Sequence, residues 1–334
     1  MELEKLEKWY GDRGYPYSTI SVAKMFISEC HDFLLEDGKG ADSNQIIDID
    51  TCTGEDMERY VEFLVENNEN SMERLFAMAR YFLVTDNKPL YIYFTSIFGS
   101  VGVVDEIRKR IINFFGMSKA NEVFQQLIVP ELGTSALQMS GFTSKFMQTL
   151  NDYFTVDELK QILAGNNHQI PVEAMLKEKE YFLQAKNIDV YLKGRHERKV
   201  GELERYRIEN KIWFEQEVTR EVVDYVRSNQ EILSAVRVKN KLYITKIPYD
   251  TSKFLSATDD RHKCYYACHC PFVREALLEG DTMDSNWCYC SAGFAKFPFE
   301  VMMDENLKVK VIETPLKGDL RCRFEVKIPN RFLP

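Results

Sequence analysis

The apolar residues of this chain change period once, and that change limits the fold more than any other feature. Over roughly the first 190 residues they recur every three to four positions, the signature of amphipathic helices. In "GVVDEIRKRIINFFG" one stripe carries Val103, Val104, Ile107, Ile111, Phe114 and Phe115, and Gly116 stands where a helix end favours glycine. "TVDELKQILAG" holds Thr155 and Glu158 at capping-box spacing and closes on Gly165. Pro171 in "IPVEAMLKEKEYFLQA" suits a first helical turn, where its missing N–H is not needed. The Met, Phe and Tyr of these helices fit a packed core better than a ligand-lining bundle, because apolar stripes exist chiefly to be buried.

After a last amphipathic helix, "EVTREVVDYVRSN", the period falls to two. "AVRVKNKLYITKIP" predicts two strands turning at Asn240 and ending at Pro248. "LKVKVIETPLKGDLRCRFEVKIP" predicts a hairpin turning on Lys317, Gly318 and Asp319. Its second strand puts Cys322, Phe324, Val326 and Ile328 on one face and Arg321, Arg323, Glu325 and Lys327 on the other. The expectation is an α+β protein: a helical domain over residues 1–195, then a cysteine-rich α/β domain over 205–334 with a mixed sheet and a terminal β-hairpin. The charged stretch "KGRHERKVGELERYR" between them reads as a connector or a solvated helix.

A length of 334 residues fits two domains. The net charge of −9 argues against a dedicated nucleic-acid binder, since a polyanion would be repelled over most of the surface. No apolar run approaches the roughly 20 residues that span a bilayer, so no membrane partner is expected. The opening "MELEKLEKWYGDRGYPYS" shows no secretory signal, and the expected location is the cytoplasm. There, clustered thiols point to chemistry or metal binding rather than to a disulfide framework.

The thiols are clustered. "CYYACHCPFVREALLEGDTMDSNWCYCSAGF", Cys264 to Phe294, holds five of the eight cysteines. If residues 262–270 are extended, His262, Cys264, Tyr266, Cys268 and Cys270 share a face, as do Cys288 and Cys290 on a second strand. Pro271 then opens a helix ending at Gly280, and Ser291 caps another. The segment so read is strand–helix–strand–helix, with Cys270 and Cys290 at helix amino ends. Such ends attract anions and favour thiolates.

Three readings stand side by side. The cysteines are small buried hydrophobes, the preferred reading for Cys322. Alternatively Cys264, Cys268, Cys270, Cys288 and Cys290 supply thiolates to zinc or an iron–sulfur cluster, at a spacing unusual for either. In the third, Cys270 or Cys290 is a nucleophile, with His262 as the preferred base or ligand; His269 lies on the opposite face. Arg274, Ser291 and Gly293 then contact the ligand, Arg274 through a carboxylate.

The blocks "YYACHCPFVREAL", "CYCSAGFAKFPFEV" and "LKGDLRCRFEVKIP" resemble an uncharacterised family of cysteine-rich bacterial proteins over roughly residues 205–334. More distantly, the late helix and hairpin with "CRF" (Cys322 to Phe324) resemble L-2-amino-thiazoline-4-carboxylic acid hydrolase-like proteins and vinyl-reductase-type ligand-binding domains. The dense Cys-x-Cys pairs depart from the hydrolase pattern. The resemblance implies a compact α/β domain with a pocket for a small organic molecule, and in the hydrolase relatives the opening of a thiazoline ring by water.

The leading expectation is a protein that binds a small anionic molecule in a cysteine-lined crevice, with a lean toward hydrolysis. The rival is a zinc or iron–sulfur sensor or assembly protein whose helices meet a protein partner; a scaffold without activity is the third. Cys30, His31 and Cys52 lie in the helical part, far from the cluster in sequence.

Overall fold

Helix caps written into the sequence set many of the helices of the computed structural model, which describes residues 1–37 and 47–333. The chain divides into two compact units, Met1–Gly99 with Pro130–Ser135, and Ser100–Val129 with Ala136–Pro334. The stretch 193–207, read as a connector or a solvated helix, is helical and lies inside one long helix of the second unit.

The first unit is helical: α1 (Leu3–Gly11), α2 (Tyr17–Asp37), α3 (Gly54–Glu66), α4 (Met72–Val84) and α5 (Lys88–Ile97). Thr53 and Asp56 form a reciprocal capping box at α3, and Ser71 and Asn87 cap α4 and α5. Tyr60, Tyr81, Phe82 and Phe94 fill the core. Arg74 is buried with them, its charge met by Glu29 at 2.7 Å and its face lying 4.4 Å from the Phe26 ring centre. Cys30 and Cys52 are buried in this same core.

The second unit opens with α6 (Val103–Phe115), α7 (Met117–Phe124), α8 (Ala136–Tyr153) and α9 (Val156–Leu163). Val103, Val104, Ile107 and Ile111 are buried as the stripe predicts, while Phe114 stays exposed. Gly116 ends α6 at φ +89°, a conformation that favours glycine. The Thr155–Glu158 capping box is present. Pro171 precedes a 3₁₀ turn, Val172–Met175, that leads into α10 (Leu176–Gln184). Next come α11 (Ile188–Ile208), whose half-buried charges pair along the helix (Lys199–Glu202, 2.7 Å; Arg207–Glu204, 2.8 Å), and α12 (Arg220–Arg227). Then follow α13 (Thr251–Ser256), α14 (Asp260–Ala267), α15 (Arg274–Glu279) and α16 (Tyr289–Met303).

Two sheets complete it. A short pair joins β1 (Ile212–Trp213) to β2 (Gln216–Glu217). The larger sheet has β3 (Val236–Val238), β4 (Lys241–Thr245), β5 (Lys308–Glu313) and β6 (Arg323–Lys327) in the order β3-β4-β6-β5. The expected mixed sheet is antiparallel throughout these strands. The two strands expected in the cysteine segment are helical, while the helix expected between them forms and ends at Gly280. The two hairpins stand as expected, with Lys239 at φ +55° and Gly318 at φ +84° in their turns. Phe324, Val326 and Ile328 are buried on the inner face against α16 and α11, as the alternation predicts.

One stretch of the described chain, Lys88–Phe115, has the length and composition of a membrane span, although no uninterrupted apolar run in it approaches 20 residues. It is two helices, α5 and α6, interrupted by a 3₁₀ turn and by Gly102 at φ +71°. Leu90, Phe94, Val103, Ile107 and Ile111 in it are buried in protein cores.

Candidate functional site

The cysteine segment folds differently from its period-2 reading. Asp259 accepts from the His262 amide at 3.0 Å, and Asp260 sits in the first turn, so residues 260–267 form α14 rather than a strand. A local cap has overridden the alternation. On a helix, residues two apart point to nearly opposite sides, so His262, Cys264, Tyr266 and Cys268 no longer share a face. His262 is half exposed and its Nδ1 lies 2.8 Å from the Asp259 carboxylate; it borders a surface hollow with Lys253, Ser256 and Tyr266 and takes no place among the thiols. Cys264 donates to the Asp319 carbonyl at 3.5 Å.

The second predicted strand is also helical. Asp284 caps a 3₁₀ turn, Ser285–Cys288, that runs into α16. Ser291 therefore lies within α16 and is not its cap. Pro298 is accommodated inside the helix. Gly293 faces neighbouring backbone: a Cβ there would stand 2.2 Å from the Gly165 carbonyl oxygen. It is a packing glycine and has no room for a ligand.

Some of the expected cluster survives. Cys268, Cys270, Cys288, Cys290 and Cys322 are gathered closely enough that ionising one raises the cost of ionising another. Three of them have polar partners of their own. Trp287 Nε1 donates to Cys270 Sγ at 3.2 Å, Cys288 Sγ meets Thr314 Oγ1 at 2.8 Å, and Asn167 Nδ2 donates to Cys290 Sγ at 3.5 Å. Burial pushes all five thiols up, Cys290 to about 12 and Cys322 to about 11. Burial thus works against the thiolate expected at Cys270 and Cys290. For Cys270 the Trp287 and Phe272 N–H groups and the cations Lys246 and Arg274 oppose the burial effect.

Among the described residues no group of three or more His, Cys, Asp or Glu side chains is placed to hold a metal ion. The donor set of Cys264, Cys268, Cys270, Cys288 and Cys290 does not fit zinc or iron–sulfur. α14 turns Cys264 to a backbone carbonyl, and the 3₁₀ turn sends Cys288 and Cys290 to different partners.

Lys246 occupies the centre instead. It follows β4, and its amide extends the ladder to the Cys322 carbonyl at 3.0 Å. Its ammonium donates to Ser291 Oγ at 3.1 Å and lies 4.9 Å from the centre of the Phe294 ring, itself at the surface. Cys270, Cys290, Cys322, His168 and His269 all feel its charge. His168 edges onto the Phe294 ring and approaches Cys290 at 3.9 Å. Burial, aided by Lys246, holds it down at about 4, so it is neutral. His269 bonds the Ile247 carbonyl at 2.6 Å through Nε2, and burial holds it at about 3. The short contact makes Nε2 the protonated nitrogen.

Beside Lys246 stands a second polar group. Tyr249 is hydrogen-bonded to both Glu215, in the turn between β1 and β2, and Arg274. Burial raises Glu215, against the pull of Arg274, Tyr249 and Lys246. Arg274 lies 4.0 Å over Tyr249 and 5.4 Å from Tyr265, so it is packed between rings rather than open on a helix turn. Its buried Nε, and the buried Oδ1 of Asn167, make no hydrogen bond among the described residues.

The structure thus brings Cys270, Cys290 and Ser291 together, with Arg274 close by and Cys264 near enough to act on Cys322, and leaves out His262 and Gly293. The sequence reading missed Lys246, His168, Asn167, Glu215 and Tyr249. One of these carried a signal: Lys246 continues the inward phase of Leu242 and Ile244, a cation on the core face of a strand.

No protein-family model matches the chain, and neither a curated protein nor a solved structure does. The chemistry of the site is read from its own geometry.

Proposed function

We propose that the second unit binds a small organic anion at Lys246 and Ser291, with Phe294 and His168 at the entrance and Cys270 and Cys290 in the lining. Lys246 carries the reading. It is half-buried, and among the described residues no carboxylate lies within ion-pair distance; Glu215, the acid whose field reaches it, is turned to Tyr249 and Arg274. A cation partly removed from water and left without a counter-charge is an unfavourable arrangement that a bound anion relieves. The groups around it, two neutral imidazoles and several neutral thiols, supply no negative charge. They suit the apolar and weakly polar body of an organic acid.

Binding, rather than thiol-catalysed hydrolysis, is the reading that these protonation states support. A nucleophilic cysteine needs its thiolate, and burial opposes it at each candidate. The test is a titration of the full chain with a panel of small carboxylates, followed by amide NMR shifts. Binding that shifts Ser291 and Phe294, weakens with salt, and disappears in Lys246→Gln but not in Lys253→Gln supports the proposal. Binding that persists in Lys246→Gln removes its basis.

A further inference from the structure

The outer face of the four-stranded sheet has a charge pattern that edge protection does not explain. In register, Lys241 of β4 faces Lys327 of β6, and Lys327 faces Lys308 of β5. Three lysines therefore stand side by side across three strands. Two residues further along, Tyr243, Glu325 and Lys310 form the next row. Directly opposed side chains have Cβ atoms about 5 Å apart, and like charges so placed destabilise a sheet. Lysines on edge strand β5 are a familiar guard against edge-to-edge association. β4 and β6 are interior strands with both edges paired, and Lys241 and Lys327 gain nothing of that kind.

Lys241, Lys308, Lys310, Glu325 and Lys327 line a hollow of about 380 Å³ with Asn240. Its one carboxylate, Glu325, is already engaged, accepting from Lys241 at 2.9 Å and Tyr243 at 3.2 Å. Among the described residues Lys308, Lys310 and Lys327 are in no ion pair. The patch stops one row on, where Arg323 is neutralised by Glu231 at 2.7 Å and Glu313 at 3.4 Å. The basic surface is thus short, about 10 Å across the strands and about 7 Å along them. The rest of a chain with a net charge of −9 would repel an extended polyanion.

We infer that this face binds a compact anion bearing two or three linked phosphates. Lys308, Lys310 and Lys327 are the free cations that meet it, and Lys241 positions Glu325 beside them. The bound charge offsets the repulsion along the lysine row.

The experiment is calorimetric titration of the full chain with sodium tripolyphosphate at low salt. Saturable binding that weakens as salt rises is expected. A variant combining Lys308→Gln, Lys310→Gln and Lys327→Gln should bind on the order of 100-fold more weakly, since each lysine supplies one water-exposed attraction to the phosphates. The corresponding Lys→Arg triple should retain binding. Without ligand, a Lys308→Gln, Lys327→Gln double should melt at or above the parent temperature, because the repulsion along the row is gone while Lys310 still faces Glu325; this separates impaired binding from impaired folding. Absence of binding at millimolar tripolyphosphate, equal affinity in the Gln triple, or binding of duplex DNA in preference to tripolyphosphate would overturn the inference.

Discussion

The Lys246 ammonium donates to the Ser291 hydroxyl oxygen at 3.1 Å, joining the end of β4 to the first turn of α16. This hydrogen bond fixes a cation beside two imidazoles and three thiols that all feel its field. Lys246→Gln keeps a donor for Ser291 and removes the charge. His168 should then titrate higher than about 4, because one of the two influences that depress it is gone. The Cys270 thiol should rise further, since Lys246 is among the groups that lower it. Imidazole resonances followed through an acid titration test the first effect; an unchanged His168 midpoint would show that the ammonium does not act there.

Folding stability should fall as the solution is acidified from near neutrality. His168 and His269 are held at about 4 and about 3, below the ordinary value of 6.5. Between 6.5 and those values the unfolded chain binds protons that the folded chain does not, so stability rises with pH across that window. Protonation therefore favours unfolding progressively below 6.5. Glu215 runs the other way, because burial raises it above its usual range: the cost of its charge appears as pH rises through the folded value and relaxes in acid. Near pH 5 the two histidines should make unfolding take up about two protons. His269→Gln should remove one of them. Denaturant midpoints measured from pH 5 to pH 8 would reject this account if they did not change for the parent chain.

Thiol reactivity should be low and ranked. Cys270 is the one member of the cluster that is not fully buried, and two N–H donors and two cations oppose the burial that raises its pKa. Native alkylation should reach Cys270 before Cys268, Cys288 or Cys290, yet far more slowly than it reaches the same cysteines in denaturant. Peptide mapping after timed alkylation gives the order. Early labelling of Cys288, which is enclosed and held by Thr314, would contradict the structure.

The parts of this fold that were legible are those where one local rule acted alone. The terminal hairpin showed itself because Cys322, Phe324 and Val326 alternate with charges and pack inward. Thr155 and Glu158 announced α9. The cysteine segment misled because two rules conflicted. Its alternation favoured a strand, while Asp259 and Asp284 supplied caps, and each cap nucleated a helical turn. The site lay further from reach. His168 follows α9, Glu215 sits in a hairpin turn and Lys246 ends a strand, and only tertiary packing brings them to the thiols. Lys246 alone carried a sequence clue, through its inward phase.

Two glycine-to-alanine exchanges should move stability in opposite directions. Alanine is favoured over glycine inside a helix by roughly 1 kcal/mol, because it has less backbone freedom to lose. Gly201 lies exposed in α11 with nothing near its missing Cβ, so Gly201→Ala should stabilise by about that amount. Gly293 lies in α16 with the same intrinsic preference, but its Cβ would stand 2.2 Å from the Gly165 carbonyl oxygen and 2.8 Å from the Ala164 carbonyl carbon. Those atoms are backbone and cannot rotate aside, so α16 and the 164–165 turn must part. Overpacking of this kind costs about 1–3 kcal/mol, enough to outweigh the helical gain. The parting also moves the turn that carries Asn167 and its bond to Cys290. Gly293→Ala should therefore lower the melting temperature and make Cys290 more reactive toward alkylating agents, whereas Gly201→Ala raises the one and leaves the other alone. Equal stabilisation by both substitutions would show that α16 does not approach that turn as closely as described.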